Sequence, residues 1–419
     1  MKANESIEKY PARVREYTNY ALKSTKIVAK NYGPRPAGSE ADAKAREYLK
    51  SDTAKFCDEM KEEEFRCSDK AFMSWVSIGS VLLLVSAVLF AFGLQVIALA
   101  VTLLNVFFIV SEFFFYKPVL DVFFKKKETG NIIGVRKASG ETKKRIIFCG
   151  HTDSAYEWTY TYHGGRPFVA LAIVIAIISI VISIAGCVFA IVENGAISPS
   201  VAFLGDNLII KIFSIVMFAL IPCYVYTFFF CNYKRPVTGA IDNLTGCFAS
   251  LAVVKFLFDN NIRFENTEVQ VLLTGGEEAG TRGAQAYAKA HKDELCDKNI
   301  ETVFVGVDTI HDFDFMNVIS KDMNGFVKND ERVVKLIKDG AVIAGYDNVT
   351  SGPISLGSTD SAPLSQIGVP AATFVAMDPT PARYYHTRLD NEEILEPKTM
   401  EATVKIALET AFLFDEKGI

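Results

Sequence analysis

Two adjacent acids, Glu277 and Glu278, stand in the stretch Thr274-Gly-Gly-Glu-Glu-Ala-Gly280, directly after a largely apolar run from Val269 to Leu273. Adjacent residues at a strand end point in different directions, so one carboxylate can ligate a metal while the other handles a proton. A Glu-Glu pair in a glycine-rich turn equally fits a solvated loop. The chemical reading therefore needs partners. Four further stretches offer them. His151 lies two residues before Asp153 in Gly150-His-Thr-Asp-Ser154, where the carboxylate can orient the ring. Asp242 sits in Thr238-Gly-Ala-Ile-Asp-Asn-Leu-Thr-Gly246, at the start of a helix, a position also suited to plain capping. Asp308 ends the apolar run Val303 to Val307, an unusual place for a surface charge. His386 follows two aromatics in Tyr384-Tyr385-His386-Thr387-Arg388-Leu389-Asp390, where a packed histidine is the simpler use.

The elements that must position these groups alternate between strand and helix. The spacing predicts amphipathic helix over 6–30, a Pro/Gly-rich stop at Asn31 to Gly38, and a helix from a capping box at Ser39-Glu-Ala-Asp42 to about residue 60. Buried strands are expected at 131–135, 145–149, 268–273, 302–307 and 371–375, and helices near 243–258 and 282–291. Such alternation argues an α/β fold, a mixed and mostly parallel sheet sandwiched by helices, with active groups at the carboxyl ends of its strands.

Two regions do not belong to that pattern. Residues 71–111 carry no charge and are interrupted near Gly93-Leu-Gln95; Pro167 to Val192 is a second uncharged run, followed by a polar loop and then 212–233. A bilayer crossing takes roughly 20 apolar residues, so these runs predict two transmembrane hairpins, with spans at 72–93, 96–116, 167–192 and 212–233. The expected organisation is one soluble domain made of 1–70, 117–166 and 234–419, with hairpins 71–116 and 167–233 inserted into its loops. An even number of crossings returns the chain to one side. Lys117, Lys125, Lys126, Lys127, Arg166, Lys234 and Arg235 flank the spans there, which predicts that the soluble domain is cytoplasmic.

Composition narrows the function. A formal net charge of −5 offers no basic surface for nucleic acid, and the mean hydropathy of +0.21 reflects the concentrated apolar runs. The eight cysteines form no C-x-x-C pair, which argues against a disulfide framework or a cysteine zinc site. No apolar stretch follows a basic start near Met1, so no cleavable signal peptide is expected.

Taken together and in this order, the five stretches resemble the co-catalytic di-zinc exopeptidases, the family of leucyl aminopeptidases, glutamate carboxypeptidase and the transferrin receptor ectodomain. Gly33-Pro-Arg-Pro-Ala-Gly-Ser39 and Gly368-Val-Pro-Ala371 add to the likeness. The resemblance implies that Asp242 bridges two ions, one also bound by His151 and Asp308, the other by Glu278 and His386. It implies that Glu277 is the general base and that Asp153 orients His151, with a cis peptide just after Asp242. Imidazole and carboxylate donors suit zinc, with manganese or cobalt able to replace it. The implied reaction is removal of N-terminal residues from peptides. Trp158, His163, Asp360 and Tyr385 are candidates for substrate contact; Glu157 and His311 are read as ordinary loop residues.

Two departures stand out. The stretch between His151 and Asp242 is lengthened by the second hairpin, so the ligands meet only if both its ends return to the site. Ser361 follows Asp360 where several relatives have histidine, which alters the substrate side. Alternative readings are a metal-free scaffold on the same fold, or another zinc reaction such as glutaminyl cyclisation or carboxypeptidase cleavage. A transporter fits less well, since the spans hold ionisable groups only near their ends, at Glu112 and Lys211.

Overall fold

The computed structural model describes residues 2–197, 205–380 and 382–419. The chain divides into two compact units: 1–69, 125–156 and 236–419 form the first, 70–124 and 157–235 the second.

The first unit is built on a nine-stranded sheet. Its strands are β1 (Glu59–Cys67), β2 (Lys127–Arg136), β3 (Lys144–His151), β4 (Thr267–Thr274), β5 (Glu301–Ile310), β6 (Met316–Asp322), β7 (Val327–Lys328), β8 (Thr350–Pro353) and β9 (Ala371–Ala376). The spatial order is β1-β2-β4-β3-β5-β9-β6-β8, with β7 paired to β6. The central β4, β3, β5 and β9 run parallel, and antiparallel pairs border them. Because His151 is in register with Thr274, the carboxyl ends of β3 and β4 lie side by side.

Side-chain alternation explains the two layers of helix. Ile146 and Phe148 of β3, with Val303, Val305 and Val307 of β5, join one core; Ile147, Cys149 and Phe304 point into another. The first core is closed by α1 (Tyr10–Tyr32), α2 (Glu40–Thr53), α3 (Thr245–Asp259), α5 (Glu331–Ile343) and α7 (Pro397–Lys417). The second is closed by α4 (Arg282–Ala290) and the short α6 (Ser361–Gln366). Both faces are thus covered, as a parallel sheet requires.

Helix α2 opens as its sequence predicts. Ser39 accepts from the Asp42 N–H at 3.1 Å, while the Asp42 carboxylate accepts from the Gly38 N–H at 2.9 Å. It stops at Thr53, short of the expected residue 60, because 59–67 forms strand β1 instead. That strand pairs antiparallel with β2 at the sheet edge, where its charges stay in water and Lys50 reaches Glu62 at 3.2 Å.

In the second unit, helices span Ser74–Ala91, Gln95–Phe114 (its last turn a π-helix), Arg166–Asn194 and Leu208–Phe228, each long and apolar enough to cross a membrane. The last bends at Leu220, ahead of Pro222, and ends before the predicted residue 233; Cys231–Pro236 instead forms a short strand paired with Tyr156–Trp158. The polar loop expected at 193–206 falls partly outside the described residues. Val85, Leu103, Ile177 and Ile215 are among many large apolar side chains left exposed along these helices. Their polar groups turn inward: Ser86, Thr102 and Ser183 join three helices through hydroxyl contacts of 2.7–3.0 Å. A fifth stretch, Ala240–Asp259, also meets the length and hydropathy of a span, but it is 89% buried. It contains α3, the core helix behind the site.

Candidate metal centre

The chain reaches Asp242 through an irregular turn rather than a helix start. Asp242 has φ −112° and ψ 90°, the Asp242–Asn243 peptide is cis as the resemblance implied, and regular helix begins at Thr245. Five hydrogen bonds set this turn. Asp390 accepts from the N–H groups of Ile241 at 2.6 Å and Asp242 at 3.1 Å. The Asn243 amide donates to Val307 O at 2.9 Å and accepts from Gly246 N–H at 3.0 Å and Thr309 N–H at 3.3 Å, tying the turn to the end of β5. Two glycines let α3 approach that closely: a Cβ on Gly246 would lie 2.0 Å from Val307 O, and one on Gly150 would lie 2.5 Å from Cys247 N.

The result is a carboxylate placed between two imidazoles. Oδ1 of Asp242 is 3.0 Å from His151 Nε2, and Oδ2 is 3.2 Å from His386 Nε2. His386 is also 3.2 Å from Glu278 Oε2. On the His151 side, Asp308 Oδ1 and Glu277 Oε2 each lie 3.9 Å from Nε2. His151, Asp242 and Glu278 bring one donor atom each within 4.8 Å of one another. The five predicted ligands and the predicted base therefore converge, although His151 and Asp242 are 91 residues apart in sequence.

Asp153 does two things at once. Its carboxylate accepts from the N–H groups of Glu277 at 3.0 Å and Glu278 at 3.2 Å, which fixes the direction of both acids. Its Oδ1 is 3.6 Å and its backbone oxygen 3.3 Å from His151 Nδ1, so ring orientation is shared between them.

Buried acids outnumber buried bases here. Asp153, Asp242, Asp360 and Asp390 are buried, and Glu277, Glu278 and Asp308 nearly so, against His151 and His386. Burial pushes Asp308 and Asp390 up to about 7 and Asp360 up to about 6, and raises Glu277 far and Glu278 less. Asp242 goes the other way. Burial would raise it, but the two imidazoles hold it well below the carboxylate range. Burial would lower His386, yet Glu278 and Asp242 push it up to about 10. Such a cluster stores protons that a divalent cation would displace.

The donors fit metal ions. Two ligand atoms each about 2.0–2.1 Å from a tetrahedral zinc lie about 3.3 Å apart, close to the Asp242–His151, Asp242–His386 and Glu278–His386 separations. Glu278 Oε1 is buried with no hydrogen-bond partner among the described residues. An unfilled acceptor of that kind is what a cation satisfies.

Of the candidates for substrate contact, Asp360 and Tyr385 belong to this unit. Asp360 Oδ2 accepts from Thr274 Oγ1 at 2.5 Å and Cys149 Sγ at 3.6 Å, while Oδ1 is buried without a hydrogen-bond partner among the described residues. Tyr385 stacks on His386 with ring centroids 4.0 Å apart, and burial followed by the surrounding acids raises its hydroxyl pKa, so it remains a donor. Trp158 and His163 belong to the second unit, Trp158 against Phe230 and His163 against Tyr162. His311 stacks on Tyr384 at 4.7 Å and contacts Asp312 at 3.0 Å. Asp312 in turn accepts from the Tyr384 hydroxyl at 2.8 Å, bracing the turn that carries His386. Sequence reasoning gave no role to Asp390, Asn243 or Asp312. Asp390 and Asn243 stood inside stretches singled out for their neighbours, and that adjacency was their only signal.

Known proteins resemble this chain in sequence and in fold. Residues 226–411 match peptidase family M28. The resemblance is to that family. Solved structures give the same fold over nearly the whole chain. A zinc aminopeptidase from Bacillus subtilis matches with a TM-score of 0.56 at 13% identity, covering 94% of each chain. A Zn-dependent exopeptidase from Parabacteroides distasonis gives 0.53 at 14%, covering 95% of this chain and 97% of that one. A glutaminyl cyclase from Fimbriiglobus ruber gives 0.56 at 13%, covering 94% and 95%. No curated protein matches in sequence. The M28 match and the zinc-exopeptidase fold support a metal-dependent exopeptidase, and the di-zinc exopeptidase likeness read from the five stretches holds.

Proposed function

We propose that this chain is a membrane-anchored aminopeptidase with two zinc ions, which hydrolyses N-terminal residues from peptides. The observation that carries it is the Asp242 carboxylate, with one oxygen on His151 and the other on His386. Asp242 would be shared, with His151 and Asp308 completing one site and Glu278 and His386 the other; manganese or cobalt suits the same donors. When bound, the ions lower the pKa of water, polarise the scissile carbonyl and offset oxyanion charge.

The chain's own residues do the rest. Glu277 takes the proton of the attacking water and returns it to the leaving amine; its buried, acid-rich surroundings already favour the protonated form it must pass through. Asp153 keeps Glu277 and Glu278 in place through their N–H groups. Tyr385 can donate to the developing oxyanion, and Asp360 lies among the acids on the substrate side. A free α-amino group is the natural partner for so acidic a cleft. On this reading the peptidase domain is one domain interrupted by two hairpins, anchored by the four apolar helices in a lipid bilayer, on the cytoplasmic side.

The fold likeness to glutaminyl cyclases favours a second reading, cyclisation of an N-terminal glutamine. Peptides with free, blocked and N-terminal glutamine ends, followed by mass spectrometry, separate the two: aminopeptidase action releases an amino acid from free ends only, cyclase action releases ammonia. Release of ammonia alone overturns the aminopeptidase reading. For the topology, single cysteines at Ala196 and Ser139, in a background lacking the exposed Cys296, are labelled with an impermeant reagent in intact cells. Labelling at 196 and not at 139 is expected; the reverse overturns the cytoplasmic placement.

A further inference from the structure

Arg35 is fully buried, yet among the described residues no carboxylate takes its side-chain hydrogen bonds. Its guanidinium spends them on backbone carbonyls: Nε on Thr152 O at 2.9 Å, Nη1 on Gly33 O at 2.8 Å and Thr238 O at 2.7 Å, Nη2 on Gly239 O at 2.9 Å. Its backbone joins in, with Arg35 N–H donating to Ser154 Oγ at 2.8 Å and Arg35 O accepting from Ser154 N–H at 3.1 Å. The Ser154 hydroxyl then donates to Val237 O at 2.8 Å, and Val237 N–H donates to Ala155 O at 2.9 Å.

These acceptors share one property. Thr152 follows His151 directly, and Thr238 and Gly239 lead into Asp242, so one side chain holds both approaches to the shared carboxylate and its histidine. Between those approaches the chain leaves the unit at residue 156 and returns at 236. A long insertion between two ligands gives their loops freedom to separate, and closing it costs entropy that local contacts must offset. A planar fork with five N–H donors meets carbonyls arriving from three segments; a lysine ammonium, a single point with three donors, does not.

We propose that Arg35, with Ser154, is a positioning residue that clamps the two ends of the second insertion and sets the spacing of His151 and Asp242, so that metal affinity depends on it. The proposal rests on the reading of this cluster as a metal centre. The test uses the full chain in detergent and the variants Arg35→Lys, Ser154→Ala and, as a control, Leu49→Ala, which thins the core in α2 and removes none of the clamp's hydrogen bonds. Zinc affinity is measured by equilibrium dialysis against a competing chelator, cobalt-loaded protein by its visible d–d bands, and kcat and KM on a peptide.

Arg35→Lys is expected to bind zinc about 10–100-fold more weakly, with shifted cobalt bands and a fall in kcat larger than any change in KM. Ser154→Ala shifts affinity the same way by less. Leu49→Ala melts earlier but keeps parental affinity and bands. If Arg35→Lys does not fold, Ser154→Ala decides. Parental zinc affinity and cobalt bands in the folded clamp variants overturn the proposal, as does an equal loss in Leu49→Ala. A parent that binds no zinc overturns the metal reading itself, and is told apart by that.

Discussion

Both units bury polar groups, but the groups differ in their chemistry. Among the apolar helices they are mainly uncharged hydroxyls and amides: Ser86, Thr102 and Ser183 bond one another and the Asn105 amide donates to Gly79 O at 3.3 Å, while Asn105 Oδ1 and Ser214 Oγ have no hydrogen-bond partner among the described residues. At the candidate metal centre of the first unit, acids crowd two imidazoles, and Glu278 Oε1 and Asp360 Oδ1 have no hydrogen-bond partner among the described residues. An unpaired neutral oxygen among apolar helices costs far less than unpaired carboxylates crowded together, whose charge must be met by protons or a cation. The difference lies in charge: neutral buried polarity joins helices, whereas an excess of buried carboxylates calls for protons or a cation.

That contrast breaks most readily at Glu277. Glu277→Gln keeps shape and metals but removes the base, and turnover should fall by about 10²–10⁴-fold with zinc content unchanged. Parental turnover would remove Glu277 from the chemistry. Next comes stripping of the metal. Chelation should abolish activity, and zinc should restore it. The metal-free protein should also lose thermal stability as pH rises. Asp308 and Asp390 are raised from 3.8 to about 7 and His386 from 6.5 to about 10, so across those windows the folded state holds more protons than the unfolded one and stability declines with pH. Zinc loading should flatten that decline, measured by calorimetry from pH 4.5 to 9; a metal-free protein that gains stability over that range would contradict the excess of buried acid.

A smaller effect is expected from Asp390→Asn, which weakens the hold on the N–H groups of Ile241 and Asp242. Zinc affinity should drop about 10-fold, read by chelator competition. The smallest belongs to the apolar unit: Ser183→Ala opens the hydroxyl triad and should cost about 1 kcal/mol, within the range for interhelical hydrogen bonds in membranes. A loss several times larger would mean that this polarity does more than join helices.

The sequence made the centre of the fold readable because strands β3, β4 and β5 are short apolar runs ending in His151, Glu277-Glu278 and Asp308. A chemical side chain at the end of a buried strand carries its own context. The apolar helices were readable for an equally physical reason, the absence of charge over bilayer length. Strand β1 was not, since its Glu and Lys residues imitate a solvated helix end and only its place at the sheet edge explains them. Strands β6 to β8 are short and polar, and helices α5 and α7 lie in a stretch where no functional group drew attention. Within the site, the ligand types were visible while the braces were not. Asp390, Asn243 and Arg35 act through backbone groups of distant segments, and no local pattern encodes a carbonyl 117 or 204 residues away.

The central claim is that Asp242 joins two metal sites. Zinc per chain, measured by elemental analysis on the purified parent and on Asp242→Ala, tests it most directly. Two equivalents in the parent and loss of both in the variant are predicted. A parent holding a single ion, or a variant that keeps two, would contradict it.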